Sequence, residues 1–170
     1  METSLEIGCG GNPQPGYIHS DFRLHSGNRA FVDVVCDGKA LSFRRGVFDS
    51  VLMFGVFEHF GIFEIQEVML EIYRVLKPSG TFRFDVPDFD WFVERYLHPE
   101  LLESGRTEEW VLKSIFGAQD GLGMVHQWGW NQKRLEDFLM KPNWPFSRIQ
   151  FLSRQWRDPE ENHLVYECVK

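Results

Sequence analysis

The stretch Leu5-Glu6-Ile7-Gly8-Cys9-Gly10-Gly11-Asn12 restricts the fold more than any other part of the chain. Leu5 and Ile7 are apolar at alternate positions and run directly into a glycine cluster. That pattern predicts a short buried strand, about residues 4–8, feeding a loop whose backbone takes positive φ or passes close to a ligand. A strand, a Gly-rich turn and an acid at the end of the following strand form the plan of a nucleotide-type site in an α/β fold. An ordinary strand-to-loop turn looks the same locally, so the residues downstream decide between them.

Those residues repeat the strand-then-acid pattern. Tyr17–Asp21 reads as a second strand ending in Asp21, and Phe31–Asp37 as a third ending in Asp37. Asp21 follows Gly8 too closely for a crossover helix, and Pro13 and Pro15 lie between them. An irregular loop or a short helical turn is predicted there. Leu41-Ser42-Phe43 is a short apolar turn, and a fourth strand starts at about 50, with the aliphatic character of a buried parallel sheet. Gly55–Phe60 is then the loop at its carboxyl end. Ile65, Val68, Met69, Ile72, Val75 and Leu76 fall at helical spacing over 62–76, and Lys77-Pro78-Ser79-Gly80 stops that helix before a fifth strand, 81–86.

Asp88 is placed to cap a helix running to about Leu102, and Thr107 one running to about Phe116. Gly117–Gly129 is glycine-rich and predicts a mobile loop with His126 at the surface. Asn131–Leu139 reads as a helix ended by Pro142 and Pro145, and Ser147–Gln155 with Leu164–Val169 as a closing antiparallel pair. Strands alternating with helices predict an α/β fold, a doubly wound and mostly parallel sheet with an antiparallel C-terminal strand pair. Gly8–Gly11, Asp21, Asp37, Phe54–His59 and Asp85–Asp88 all fall at carboxyl ends of strands, where such sheets bind ligands.

With 170 residues, 43% apolar and 15% aromatic, the chain can bury a core, and it is read as one domain with a helical and loop insertion at about 88–130. A net charge of −7 argues against nucleic acid as partner. No apolar run is long enough to span a membrane, and Met1-Glu2-Thr3-Ser4 lacks the character of a signal peptide. Cys9, Cys36 and Cys168 are an odd number without Cys-x-x-Cys spacing, so a cytoplasmic protein with reduced thiols is expected.

Taken in order, these segments resemble the class I S-adenosylmethionine-dependent methyltransferases, most closely the small type 11 kind. Leu5–Gly11 is similar to the acid-x-Gly-x-Gly-x-Gly loop, with its last Gly one place early. Asp21 matches the acid after strand two, and Cys36-Asp37-Gly38 with Leu41-Ser42-Phe43 the segment near the adenine. Phe48–Val51 leading to Phe57–Phe60 matches the strand-four block. Arg74–Thr81 matches the R-V-L-K-P-G-G block with Ser79 for a Gly. These motifs cover about residues 4–90, and 124–139 resemble the family more weakly.

The resemblance implies the Rossmann-like class I methyltransferase fold and S-adenosyl-L-methionine as cofactor. Its binding residues would be Glu6, Gly8, Cys9, Gly10, Asp21, Asp37, Gly38, Leu41, Phe54 and Gly55. Asp21 would accept both ribose hydroxyls and Asp37 the adenine amino group, beside an apolar wall from Leu41 or Phe43. Glu6 would brace the loop or meet the ammonium group. Methyl transfer gains most from positioning, and an oxygen or nitrogen acceptor gains further from a general base. His59 is the first candidate, oriented by Glu58, with His126 and Asp85 behind it. Some relatives hold a divalent metal with Glu-x-x-Glu-His after strand four. Here Gly55 stands in the first Glu place, so no metal is expected. Trp91, Trp128 and Trp130 are candidates for a substrate wall or for the core.

A small-molecule or glycan acceptor is the expected partner, with specificity carried by 88–130. The missing cover of a helix before strand one and of another between Gly11 and Asp21 raises an alternative. This is a catalytically degenerate methyltransferase fold acting as a binding or regulatory partner, or a site covered by a second copy or another chain. A nicotinamide-binding Rossmann enzyme fits less well, because Pro13 stands where the third Gly of Gly-x-Gly-x-x-Gly belongs.

Overall fold

Leu5 and Ile7 are buried, as their alternation requires, and form the centre of β1 (Ser4–Ile7). The computed structural model describes residues 2–103, 105–141, 144–154 and 162–170. β1 pairs in parallel with β2 (Ile18–Asp21) on one side and β4 (Phe48–Met53) on the other. β3 (Val34–Val35) extends the sheet beyond β2, and β5 (Leu76–Pro87) extends it beyond β4, both in parallel. β7 (His163–Val169) lies antiparallel to β5, and β6 (Arg148–Ser153) antiparallel to β7. The order is β3-β2-β1-β4-β5-β7-β6, so the mostly parallel sheet closes on an antiparallel pair as expected. The strand order reverses between β1 and β4, which puts the switch point beside the Gly-rich loop.

α1 (Glu64–Val75) lies between β4 and β5 in the chain and buries Ile65, Val68, Met69, Ile72 and Val75 completely, its predicted apolar stripe. In the same core Phe84 stacks on Phe57 (ring centroids 4.4 Å apart) and on Phe82 (5.1 Å). Arg74, in the last turn of α1, clamps the 41–43 segment to this helix. Its guanidinium donates to Glu71 Oε1 and Oε2 (2.7 Å each), to the Phe43 carbonyl (2.8 Å) and to the Leu41 carbonyl (2.9 Å), while Leu41 N donates to Glu71 (2.9 Å). A lysine cannot reproduce that planar fork. Arg74→Lys is therefore expected to lower stability by about 1–2 kcal/mol, read from denaturant unfolding, with an unchanged midpoint counting against the clamp.

Four segments differ from the sequence reading. β3 is two residues long rather than seven, because Asn28 turns the chain ahead of it. Asn28 Oδ1 accepts from His25 N (2.8 Å), Nδ2 donates to the Arg23 carbonyl (2.9 Å), and Phe31 N bonds back to Asn28 O (2.8 Å). Gly55–Phe60 contains a 3-10 turn, Phe57–His59. β5 begins at Leu76, directly after α1, with the Lys77–Gly80 turn forming a register irregularity within it. Ser79 there has φ 63°, the left-handed backbone that explains a Gly in the family pattern. The helix after Asp88 is α2 (Phe89–Leu97) and stops at His98, because Pro99 opens a separate 3-10 turn.

α3 (Glu108–Phe116) and α4 (Gln132–Leu139) start where predicted, with Thr107 Oγ1 accepting from Trp110 N (3.2 Å) and Asn131 Oδ1 from Arg134 N (2.8 Å). Pro142 and Gln155, assigned to a helix stop and a strand end, lie outside the described residues. No helix lies between Gly11 and Asp21. Among the described residues no helix is long and apolar enough to cross a membrane.

Candidate functional site

The Gly-rich loop leaves β1 with two residues in left-handed backbone, Gly8 (φ 70°) and Gly10 (φ 53°). A Cβ on Gly8 would lie 2.3 Å from Val56 Cγ2, so this turn packs directly against the loop after β4. Two carboxylates hold the loop open. Asp21 Oδ2, at the end of β2, accepts from Gly10 N (3.1 Å). Glu6 Oε2 accepts from Gln14 N (2.7 Å) and lies 3.1 Å from His19 Nδ1. Glu6 is thus a buried brace beneath the loop.

Above the loop is a cavity of about 380 Å³, lined by Gly8, Gly10, Asp21, Asp37, Gly38, Gly55 and His59 of the predicted set. Its apolar walls are not the predicted Leu41 or Phe43. Leu41 is buried in the core and Phe43 packs edge-on against Phe48. Ile7, Phe22, Val56, Phe60 and Met124 line it instead. The sequence reading missed Phe22, whose place directly after the strand-end acid was the available signal, whereas Phe60 and Met124 arrive through tertiary contacts. Asp37 Oδ1 accepts from Lys39 N (2.9 Å), and Lys39 Nζ bridges to Glu64 (2.5 Å) across the rim.

Phe54 and Cys9 are buried beside the cavity rather than lining it. Burial, followed by the Asp21 and Glu6 carboxylates, pushes the Cys9 thiol up to about 11. At pH 8 about one molecule in a thousand then carries the thiolate. Cys9 is therefore expected to resist iodoacetamide in the folded protein and to react on unfolding. Rapid labelling of the native protein would refute this.

Part of the cavity wall comes from the loop after α3 of the chain itself. The loop after α3 is closed at its neck by His126 N donating to the Phe116 carbonyl (3.0 Å) and is tied internally by Gln119 N to Met124 O (3.1 Å). It lays Gly123 against Phe22 and Gly121 against the Arg23 guanidinium, and it places Met124 in the cavity wall. His126 is correspondingly not at the surface. Its side chain is 12% exposed, because Gln127 N donates to the Glu58 carbonyl (2.8 Å) and pulls the segment onto the 3-10 turn.

The three candidate bases separate. His59 lines the cavity, and its Nδ1 bonds the Val125 carbonyl (3.0 Å), so Val125 rather than Glu58 orients it. Its ring stands edge-on to that of His126 (centroids 4.7 Å apart). Burial holds His59 below the ordinary histidine range, against the pull of the Val125 and Gly55 carbonyls. Burial, then the neighbouring His59, lowers His126 to about 4. Asp85 has both oxygens engaged, Oδ1 by Gly55 N (2.7 Å) and Oδ2 by His163 (2.9 Å), and so fixes the turn after β4. Glu58, read as the orienter of His59, faces His126 instead, with Oε1 3.9 Å from Nε2. Glu58, His59 and His126 each bring one ligand-type atom within 4.8 Å of the others, so Glu58 and His59 are not the isolated pair that the sequence suggested. Trp130 is a core residue, Trp128 packs beside it, and Trp91 stacks under Arg95 (3.5 Å) on the rim of a separate polar cleft.

The strand order and a Gly-lined cavity at the strand ends define a class I methyltransferase fold. Residues 17–84 match the model of a family described as a methyltransferase domain. Among similar solved structures is an S-adenosylmethionine-dependent methyltransferase from Archaeoglobus fulgidus, 13% identical, with a TM-score of 0.63 over 99% of this chain and 86% of that one. One from Thermotoga maritima is 15% identical, with a TM-score of 0.62 over 100% and 83%. A methyltransferase in complex with the Haloferax volcanii Trm112 methyltransferase activator is 15% identical, with a TM-score of 0.61 over 99% and 81%. No curated protein matches the chain significantly. The resemblance to class I methyltransferases is borne out.

Proposed function

We propose that this protein transfers a methyl group from S-adenosyl-L-methionine to a small-molecule acceptor. The observation that carries the reading is the cavity of about 380 Å³ at the carboxyl ends of β1, β2 and β4, floored by Gly8 and Gly10 and holding Asp21 and Asp37. Its volume is within the usual range for a ligand pocket. Gly8 and Gly10 let the methionine part lie against the main chain. Asp21 accepts the ribose hydroxyls, and Asp37 with Gly38 and Phe60 borders the adenine. Gly55, Val56 and His59 would border the sulfonium. The acceptor enters from the side of His126 and α3, where the sequence resemblance is weakest. The cofactor would supply an activated methyl, which an acceptor oxygen or nitrogen would take in line as the S–CH3 bond breaks and S-adenosylhomocysteine leaves, with the gain coming from orientation. His59, which lines the cavity, is the group placed to take the proton, whereas burial, which lowers His126 to about 4, makes that ring a poor acceptor.

Thermal unfolding with S-adenosylhomocysteine, and with NAD as control, tests the reading. Ligand at a hundred times its dissociation constant adds about 2.7 kcal/mol. For a chain of this size the midpoint should rise by about 5–11 °C with S-adenosylhomocysteine and not with NAD. No shift would favour the degenerate alternative. Light scattering would then show whether the chain forms a dimer whose second copy could cover the site.

A further inference from the structure

A second, smaller space adjoins the cofactor cavity. It is about 10 Å³, room for one water-sized group, and is lined by Glu58, Phe89, Phe92, His126, Trp128 and Trp130 among others. Three side-chain atoms on these residues are buried without a hydrogen-bond partner among the described residues: Glu58 Oε2, Trp128 Nε1 and Trp130 Nε1. Glu58 is 3% exposed and Trp130 1%. The other carboxyl oxygen of Glu58 is 3.9 Å from His126 Nε2, too far for a hydrogen bond. Buried polar groups are almost always hydrogen-bonded, so three orphans on the walls of one space call for a partner that enters it. Their chemistry restricts that partner. An indole N–H only donates, so an ammonium group finds nothing to bond on Trp128 or Trp130. An anion finds donors, but no Lys or Arg lines the space to balance its charge. Burial, then the Asp85 charge, pushes the Glu58 carboxyl up to about 8, so at neutral pH it both donates and accepts. A hydroxyl fits all three atoms, because its oxygen accepts from the indoles while it bonds the Glu58 carboxyl.

We infer that this space seats one uncharged hydroxyl group of the acceptor, selected by Glu58, Trp128 and Trp130. The assignment to an acceptor rests on the methyltransferase reading, while the hydroxyl site itself does not. The His126 ring, in the wall of the small space, stands edge-on to that of His59 (centroids 4.7 Å apart), which lines the cofactor cavity. The space therefore lies on the side from which the acceptor enters. Only the hydroxyl has room inside it, so the rest of the acceptor lies outside. Phe89, Phe92 and the two indoles surround the hydroxyl with ring surface, which suits one borne by an aromatic or otherwise apolar carbon frame. An acceptor with a methyl in place of that hydroxyl leaves the three polar atoms unpaired, a stronger basis for discrimination than shape. Glu58 is thus a specificity residue. Water has the same hydrogen-bonding chemistry and is the competing occupant.

The test uses the full chain with isotope-labelled tryptophan, with and without S-adenosylhomocysteine, followed by NMR through the indole N–H signals of its 6 tryptophans. Trp128→Phe and Trp130→Phe assign the two signals of interest. Phenol is the probe, compared with toluene, benzoate and benzylammonium. Phenol is expected to move both signals saturably and to bind at least about tenfold tighter than the other three. In Glu58→Leu its preference over toluene should fall to about threefold or less, whereas Glu58→Gln, whose amide also donates and accepts, should keep it. Thermal unfolding verifies that each variant is folded. Should Glu58→Leu fail to fold, Trp130→Phe, which keeps a ring and loses the donor, carries the same comparison. Equal response to phenol and toluene, or a phenol preference that survives in folded Glu58→Leu, overturns the inference. So does a long-lived water contact at these indole N–H groups that phenol does not displace, which marks a structural water only. S-adenosylhomocysteine binding is measured by calorimetry on the same protein. Cofactor binding without a phenol preference removes the hydroxyl site and keeps the methyltransferase. A phenol preference without cofactor binding keeps the hydroxyl site and removes its assignment to an acceptor.

Discussion

Asp21→Ala is expected to weaken S-adenosylhomocysteine binding by about 100-fold or more. Asp21 is 6% exposed at the end of β2, and one of its oxygens accepts from Gly10 N at 3.1 Å. A ribose diol on this carboxylate makes two charge-assisted hydrogen bonds, each worth about 1.5–3 kcal/mol. Losing both costs about 3 kcal/mol or more, which is at least two decades in affinity. Asp21→Asn separates the ligand contact from the loop brace. Its amide oxygen can still accept from Gly10 N, so the unliganded protein should unfold as before, while affinity falls about tenfold through loss of the charge. Calorimetric titration of both variants decides the matter. Equal affinity in wild type and Asp21→Asn, with loss only in Asp21→Ala, would mean that Asp21 supports the loop and does not touch the ribose.

Gly117→Ala should be the most damaging single methyl in the cover. Gly117 has φ 83° at the neck of the loop after α3, and an added Cβ would lie 2.1 Å from the Met124 carbonyl and 2.9 Å from His126 N. Both are backbone atoms, so no side-chain rotation relieves the overlap. A φ of 83° with a ψ of 163° is a backbone that essentially only glycine adopts and costs an alanine roughly 1–3 kcal/mol, and the overlap adds to it. The neck bond from His126 N to Phe116 O must open, which moves Met124 out of the cavity wall and His126 away from Glu58. The expected result is a lower unfolding midpoint together with weaker S-adenosylhomocysteine binding. Gly105→Ala, at a glycine of similar φ (93°) with open space around its Cβ position, should lose stability through backbone strain alone and keep cofactor affinity. Unchanged cofactor affinity in folded Gly117→Ala would show that the loop does not cover the site.

Much of the fold was legible because it rests on short-range periodicity. The apolar stripe of α1, the alternation through Leu5 and Ile7 and the caps at Thr107 and Asn131 are local, and each appears where its residues demanded. The acids at strand ends were legible for the same reason, since a strand's end and the residue on it are read together. β3 was overextended because apolar Phe31 and Val32 look like strand, whereas the Asn28 turn that claims their backbone donors depends on side-chain geometry. The role given to Asp85 could not be narrowed without seeing His163, its partner 78 residues further along the chain.

By itself the sequence determined a mostly parallel α/β sheet, a Gly-rich loop after β1 and two acids converging at the strand ends, because burial patterns and glycine backbone preferences act over a few residues. Only the tertiary structure decided what closes the cavity and what stands beside it. The loop that brings Met124 and His126 back onto Phe22 and Glu58 has no periodicity to read. Its course is set by single backbone hydrogen bonds, such as Gln127 N to Glu58 O, between residues far apart in the chain. Their energy exists only once the sheet has placed both partners.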